Sequence, residues 1–518
     1  MGAGISGAGV ALNGPTRAAD DDRTESQPAT VRTQLIFWLA VACLLAAGLH
    51  GISGPWELGW RGIMGGQWAE GAIVYYQRYG LGVTGLYPTV VIDNGDDLRR
   101  IVNWHHPATY WLYLALPASV FGNSPPVLRL AHLVLWLPSV VALRQLVVVR
   151  AGARWANVAA LLFATTPVVA YYGPMVVQTG AVYGLGLVTL WRFDRWLRAG
   201  GRRNAMFALA AFFVTCLTDF PACWWGGAIA VLGLGSGSSW RYFVHVGSMA
   251  LTGVTALAIV VVHFGLEFNG PLNYLQMLRG LGNEDVAPIA WARIELALHA
   301  FLLDHGCLPV VMLALFGVLR LVFLRRGMRG ELALLAVSLA VPGVIDCVAL
   351  PAHAVDHVFW PMQAMSAVAL LAAGLACPMA GGGGVARWLR TPSAWIVGVT
   401  TCWGLVWTHV VADRFHAPPE PHRARLEQAA PLLAGCTWSF TNLPKTTRVF
   451  YGDSWVHTEF RSAEQLMVVR QFARAQGAAG PMAFVLDRAT ASEALRAAVE
   501  ALATPTASGD LEVYRFRP

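Results

Sequence analysis

The chain has 518 residues, of which 56% are hydrophobic before its 53 glycines are counted, and only 13% carry a charge, against roughly a quarter in soluble domains. That composition excludes a water-soluble globule and describes a polytopic α-helical membrane protein. The formal net charge of +7 rests on arginines, which set orientation in a membrane, so it does not mark a nucleic-acid partner.

Residues 1–32 are rich in Gly, Ala, Ser, Thr and Asp and lack both apolar periodicity and the order of a signal peptide. They read as a disordered cytoplasmic tail. A first span over about 33–53 leads into a long outer loop, 54–125. Within that loop the apolar stretch Pro107–Phe121 is short for a crossing, which takes about 20 residues. If it lies at the interface, every arginine-rich connection falls on the side of the N-terminus. Further spans then occupy about 126–148, 155–172, 176–193, 205–218, 221–235, 242–265, 307–324, 331–350, 358–377 and 393–412. The sum is about eleven transmembrane helices in a membrane domain over 33–412.

Under this arrangement the cytoplasmic connections carry Arg150 and Arg154, then Arg192, Arg195, Arg198, Arg202 and Arg203, then Arg241, Arg325, Arg326, Arg329, Arg387 and Arg390. The short outer loops near 174, 219 and 353 carry no arginine, which is the asymmetry of the positive-inside rule. A second long outer loop, 266–305, includes Trp291–Leu303, an amphipathic helical pattern bearing Arg293 and Glu295. From 413 the composition turns soluble. Strand-like runs Arg448–Tyr451, Met482–Leu486 and Leu511–Phe516 alternate with helical patterns Ala463–Ala475 and Ala491–Leu502, the signature of a small extracytoplasmic α/β domain over 413–518. No internal repeat is visible, which disfavours a transporter built from repeated halves.

Ionisable residues beside spans are candidates for function, because hydrocarbon penalises them unless they face a cavity. Here Glu70, His105, His106, Asp219, Glu267, His353, Asp356 and His357 gather at outer helix ends and outer loops. Two imidazoles at the start of a helix, His105 and His106, suit a phosphate or a metal; interfacial capping is the plainer alternative. Asp219, in Thr218-Asp219-Phe220-Pro221, is a functional carboxylate or a cap for the next helix. His353, Asp356 and His357, at spacings of three and four, could share a divalent metal ion or hold a phosphate, or stand as exposed loop residues. Tyr171-Tyr172-Gly173-Pro174 breaks a span at a depth where tyrosines usually anchor the interface. Asp346 reads as a polar helix-end residue. The eight cysteines show no CxxC spacing and read as small core residues.

Tyr79-Gly80-Leu81, His105-His106-Pro107, Phe121-Gly122, Leu128-Arg129-Leu130, Pro167 with Tyr171-Tyr172-Gly173, Leu217-Thr218-Asp219-Phe220-Pro221 and Asp356-His357 with Pro361 occur in this order. That order, with the long first outer loop, resembles the membrane glycosyltransferases of the GT-C class. Within that class it looks like the family 39-like bacterial enzymes, related to protein O-mannosyltransferases and lipid A aminoarabinose transferase. The resemblance covers roughly residues 33–380. It implies an inverting enzyme of the bacterial inner membrane that moves a hexosyl or pentosyl group from a polyprenyl-phosphate carrier to a hydroxyl on an envelope lipid, glycan or protein. It also implies Glu70 and Asp219 as the catalytic carboxylates, and Arg78, His105, His106, His353 and His357 as contacts for the donor phosphate. The family usually carries an Asp-Glu pair early in the first outer loop and a further acid after the Tyr-Tyr break. Here those stretches read Gly65-Gly66-Gln67-Trp68-Ala69-Glu70 and Gln178-Thr179-Gly180. A catalytically inactive relative that binds or scaffolds a lipid-linked sugar is therefore the first alternative, and a lipid or sugar transporter the second.

Overall fold

The computed structural model describes residues 31–50, 52, 66, 68–83, 86, 107–237, 240–267, 295, 298–321, 326–349, 360–376, 391–415, 421–436, 438–443, 449–451, 454–457, 460, 462–475 and 481–517. The helices up to residue 415 are α1 (Val31–Leu49), α2 (Trp68–Val83), α3 (Thr109–Phe121), α4 (Pro125–Trp136), α5 (Pro138–Thr165), α6 (Pro167–Tyr172), α7 (Gln178–Ala199), α8 (Arg202–Thr218), α9 (Ala222–Gly235), α10 (Trp240–Glu267), α11 (Leu308–Leu321), α12 (Arg326–Ala349), α13 (Met365–Ala376) and α14 (Pro392–Phe415). Proline opens α4, α5 and α6, where its missing N–H costs nothing and its fixed φ suits the first turn. Gly152, at φ 81°, divides α5 into two legs.

Apart from α2 and α3, which lie within the predicted outer loop 54–125, these helices overlap the predicted apolar spans. Three are long and apolar enough to cross a membrane: Pro125–Thr165, in two legs, Tyr242–His263 and Pro392–Ala412. Shorter apolar helices lie at Gln34–Leu49, Ala222–Gly235, Leu308–Leu321 and Met362–Leu375. With 13 residues, α3 is about 20 Å long, well short of the roughly 30 Å hydrocarbon core. Boundaries differ in places: the expected spans 126–148 and 155–172 are redistributed over α4, α5 and α6, α12 begins at Arg326 and α13 at Met365, and α7 runs on to Ala199, past the expected span end at 193. Phe193, Trp196 and Leu197 are buried, and Asp194 pairs with Arg150, so part of the expected arginine loop is helix.

The core of this part centres on Trp136, Phe163, Tyr183 and Trp225, all fully buried, with ring centroids 5.6–6.1 Å apart along the chain of contacts. Helix α5 packs against α1, α7 and α13, and α14 lies on α5 and α6. The last contact is backbone to backbone: a Cβ at Gly404 would stand 2.0 Å from the Thr165 carbonyl oxygen.

Residues 421–517 contain α15 (Pro421–Leu433), β1 (Trp438–Thr441), β2 (Val449–Tyr451), β3 (Ser454–His457), α16 (Ala463–Ala475), β4 (Met482–Asp487), α17 (Glu493–Glu500), β5 (Pro505–Ser508) and β6 (Leu511–Phe516). The strands form one sheet in the order β2-β3-β1-β4-β6-β5, with β1 parallel to β3 and β4 and the other pairs antiparallel. Strand alternation sends Met482, Phe484 and Leu486 to the face that also buries Leu466, Leu495 and Val499. Ala483 and Val485 go to the opposite face, with Leu426, Ala429 and Leu433 of α15. The two-sided cover explains why β4 is buried throughout.

Asp487 closes this sheet onto α15. Its carboxylate accepts Arg425 at 3.0 and 3.4 Å, Thr490 Oγ1 at 3.0 Å and the Ala489 N–H at 3.2 Å. Burial pushes the carboxyl up, but the bonds from Arg425 and Thr490, the guanidinium charge and the Ala489 N–H outweigh it and hold the group below the usual carboxylate range. A depressed folded value contributes stability that is complete above the unfolded value of about 3.9 and is lost as pH falls through the folded one. Protection factors of the β4 amides, measured by hydrogen exchange on the intact protein, should be level from neutral pH to about 5 and decline below about 4. Asp487→Asn should lower them at neutral pH and remove most of that acid decline.

Candidate functional site

Glu70 lies in the first turn of α2, half-buried. Its carbonyl oxygen accepts the Asn123 side-chain amide at 2.9 Å, which ties the start of α2 to the turn between α3 and α4. Behind it Ala69, Ala72, Ile73 and Tyr76 pack in one cluster with Tyr110, Trp111 and Leu114 of α3. Helix α3 also touches α8, whose C-terminal end carries Asp219. The two expected carboxylates therefore come from elements that both contact the short α3.

Asp219 is 1% exposed, in extended conformation at the end of α8. Its Oδ1 accepts the Phe220 N–H at 2.8 Å, and its carbonyl oxygen accepts Ala222 N–H at 3.2 Å. The capping alternative is corrected in detail: the N-cap of α9 is Pro221, and the Asp219 side chain bonds within its own turn. Arg78 lies on α2, with its side chain outside the described residues. His105, His106, His353, Asp356 and His357 also lie outside them, as does the Asp346 side chain. Among the described residues no group of three or more His, Cys, Asp or Glu is placed to hold a metal ion.

Two histidines that the sequence reading passes over bond to the Tyr171-Tyr172-Gly173 break. His132 of α4 has Nε2 2.9 Å from the Gly173 carbonyl oxygen and Nδ1 2.8 Å from the Tyr110 hydroxyl. A carbonyl only accepts, so Nε2 carries the proton and Nδ1 accepts from Tyr110 O–H. His305, after the π-helical turn Ala300–Asp304, repeats the scheme. Its Nδ1–H donates to the Ala300 carbonyl at 2.9 Å, and its Nε2 accepts from Tyr172 O–H at 3.0 Å. Indole N–H groups of Trp403 and Trp407 fix this segment by donating to the carbonyls of Gly306 and Asp304, each at 2.9 Å. A narrow cleft of about 10 Å³, lined by Thr165, Thr166, Pro167, Gly306, Thr400 and Trp403, opens beside it. The available signal was an ionisable residue inside or beside an apolar run.

Gln178 opens α7 immediately after the break. It is 1% exposed, and its Nε2 has no hydrogen-bond partner among the described residues. Arg129 of α4, also buried, donates to the Ile52 carbonyl at 3.0 Å and so anchors the start of the first long loop. Chemically, the described residues offer a half-buried carboxylate, a buried one and a hydrogen-bonded Tyr–His framework.

No protein-family model matches the chain, and no curated protein matches it. Among solved structures it is similar to ArnT from Cupriavidus metallidurans in the apo state, at 15% identity and a TM-score of 0.61, covering 93% of this chain and 98% of that one. It is likewise similar to ArnT bound to undecaprenyl phosphate, at 13% identity and a TM-score of 0.58, covering 92% and 97%. ArnT is a lipid A aminoarabinose transferase, and over almost its whole length this chain has the fold of that GT-C glycosyltransferase.

Proposed function

We propose that the protein is a membrane glycosyltransferase that takes a sugar from a polyprenyl-phosphate carrier and transfers it, with inversion, to a hydroxyl of an envelope lipid, glycan or protein. The observation that supports this reading is the fold shared over 92% of the chain with a structure holding undecaprenyl phosphate. A lipid-linked donor needs a phosphate site at headgroup depth and a carboxylate to take the acceptor proton. Glu70 serves as the base. Asp219, at the end of α8, is a second catalytic carboxylate. Arg78, His105, His106, His353 and His357 hold the donor phosphate, and Asp356 with His357 is the place for a divalent metal ion. The reaction takes place at the outer face of a bacterial inner membrane, with the N-terminus in the cytoplasm, about eleven spans, and the 413–518 domain outside as a cover for the site or a reader of the acceptor.

One observation favours a second reading. Gln178, where the resembling family carries an acid, has a buried amide nitrogen without a partner among the described residues, which suits a relative that binds the lipid-linked sugar without turning it over. Incubating the purified protein with a panel of radiolabelled polyprenyl-phosphate sugars separates the two. Transfer or hydrolysis of one donor supports the enzyme, and saturable binding without turnover supports the inactive relative. Neither binding nor turnover would overturn both.

A further inference from the structure

The connection between α7 and α8 gathers charge that sugar transfer leaves unused. Arg192 and Arg195 lie near the end of α7, and Arg202 and Arg203 open α8. Arg195, Arg202 and Arg203 are exposed and Arg192 is half-buried. Their neighbours Arg150 and Arg198 are neutralised by Asp194 and Glu331. Arg192, Arg195, Arg202 and Arg203 have no carboxylate partner among the described residues.

These arginines are seated, not merely solvated. The Arg192 guanidinium carbon stands 4.1 Å from the centroid of Trp191 and 5.2 Å from that of Phe207, and that of Arg203 stands 5.6 Å from the same Phe207 ring. Aromatic faces orient guanidinium groups without cancelling their charge. The first turn of α8 contains no acid, and Gly201 supplies no side-chain cap. Two arginines thus occupy the positive end of a helix dipole, where an anion is favoured. Four like charges at one turn call for a counter-charge from outside the protein.

The surroundings identify its source. One turn along α8, Met206 and Phe207 are 60% and 45% exposed. At the start of α10, which packs on α8, Trp240 is 79% exposed and stacks on Phe243. Exposed apolar side chains bounded by tryptophan mark the passage from hydrocarbon to headgroups, which puts the arginines at phosphate depth. We propose that Arg192, Arg195, Arg202 and Arg203 bind the headgroup phosphate of an anionic phospholipid, whose chains lie along α8 over Met206 and Phe207. This site is independent of the transfer site and of whether the protein is active.

The test reconstitutes the intact protein in nanodiscs of phosphatidylcholine mixed with phosphatidylglycerol and measures, by mass spectrometry, the lipids that remain on it after extraction. Wild type should retain phosphatidylglycerol in preference to phosphatidylcholine, and high salt should remove the preference. R192Q/R195Q/R202Q/R203Q should lose it. The milder R202Q/R203Q, at exposed positions where folding is not at risk, should reduce it by about fivefold per arginine. Unchanged retention in R202Q/R203Q, equal retention of the two lipids, or displacement of phosphatidylglycerol by an equal concentration of inorganic phosphate would each overturn the proposal.

Discussion

Glu70→Gln should lower sugar transfer by roughly 10² to 10⁴-fold, the range that general-base catalysis supplies, with a small change in donor affinity. An acceptor hydroxyl is a poor nucleophile at neutral pH, and a carboxylate that takes its proton as the bond to phosphate breaks relieves that barrier. Glutamine keeps the size and the half-buried position of Glu70 but cannot accept the proton. The carbonyl bond from Asn123 is a backbone contact and survives the substitution, so α2 should keep its place. Single-turnover assays with the donor identified by the panel experiment provide the measurement. Near wild-type transfer in Glu70→Gln combined with none in Asp219→Asn would move the base to Asp219. Full activity in both would remove carboxylate-base catalysis from the mechanism.

Asp194→Ala should destabilise the protein by about 3–5 kcal/mol, the cost of leaving a buried ion without its partner. The side chains of Arg150 and Asp194 are 2% and 5% exposed and share two hydrogen bonds, at 2.5 and 3.2 Å. Asp194 also receives Arg198 at 3.2 Å, and Glu331, the remaining carboxylate, is 3.9 Å from Arg150 Nε. Without Asp194 the Arg150 guanidinium stays buried with one distant, half-exposed counter-charge. The double replacement Arg150→Met with Asp194→Leu should recover most of the loss, because an apolar pair of similar volume carries no desolvation penalty. Equilibrium unfolding in mixed micelles reads both. A loss below about 1 kcal/mol in Asp194→Ala, the level of a surface pair, would show that the pair is hydrated in the membrane.

What the sequence determined by itself is what depends on neighbours in the chain. The length of each uncharged run, the prolines that open α4 to α6 and the glycines that follow helices locate most of the apolar helices of the membrane part, though not every boundary. The short α3 is legible from its own boundaries. In the C-terminal part, Met482–Leu486 and Leu511–Phe516 announce β4 and β6 because both are rich in apolar and aromatic residues. Strands β1, β3 and β5, reading Trp-Ser-Phe-Thr, Ser-Trp-Val-His and Pro-Thr-Ala-Ser, and α15, with Pro431 inside, are not legible. Their apolar content is too small, and they exist because β4, β6 and the buried face of the sheet hold them.

The same division runs through the site. Glu70 and Asp219 stand out in sequence because a carboxylate beside an apolar run is costly wherever it ends up. His132, His305, Asp194 and Gln178 gain their meaning from partners 41, 133 and 44 residues away, or from having none. No local pattern encodes such distances. Only the packing of α4 on α7, of α14 on α6 and of α5 on α7 decides that a histidine becomes a fixed proton donor to a carbonyl, that an arginine loop becomes a helix with a buried ion pair, and that an amide is enclosed. Hydrophobic length is a property of a segment and is readable before folding. Hydrogen-bond satisfaction in a low-dielectric interior is a property of the assembled chain, and tertiary structure alone settles it.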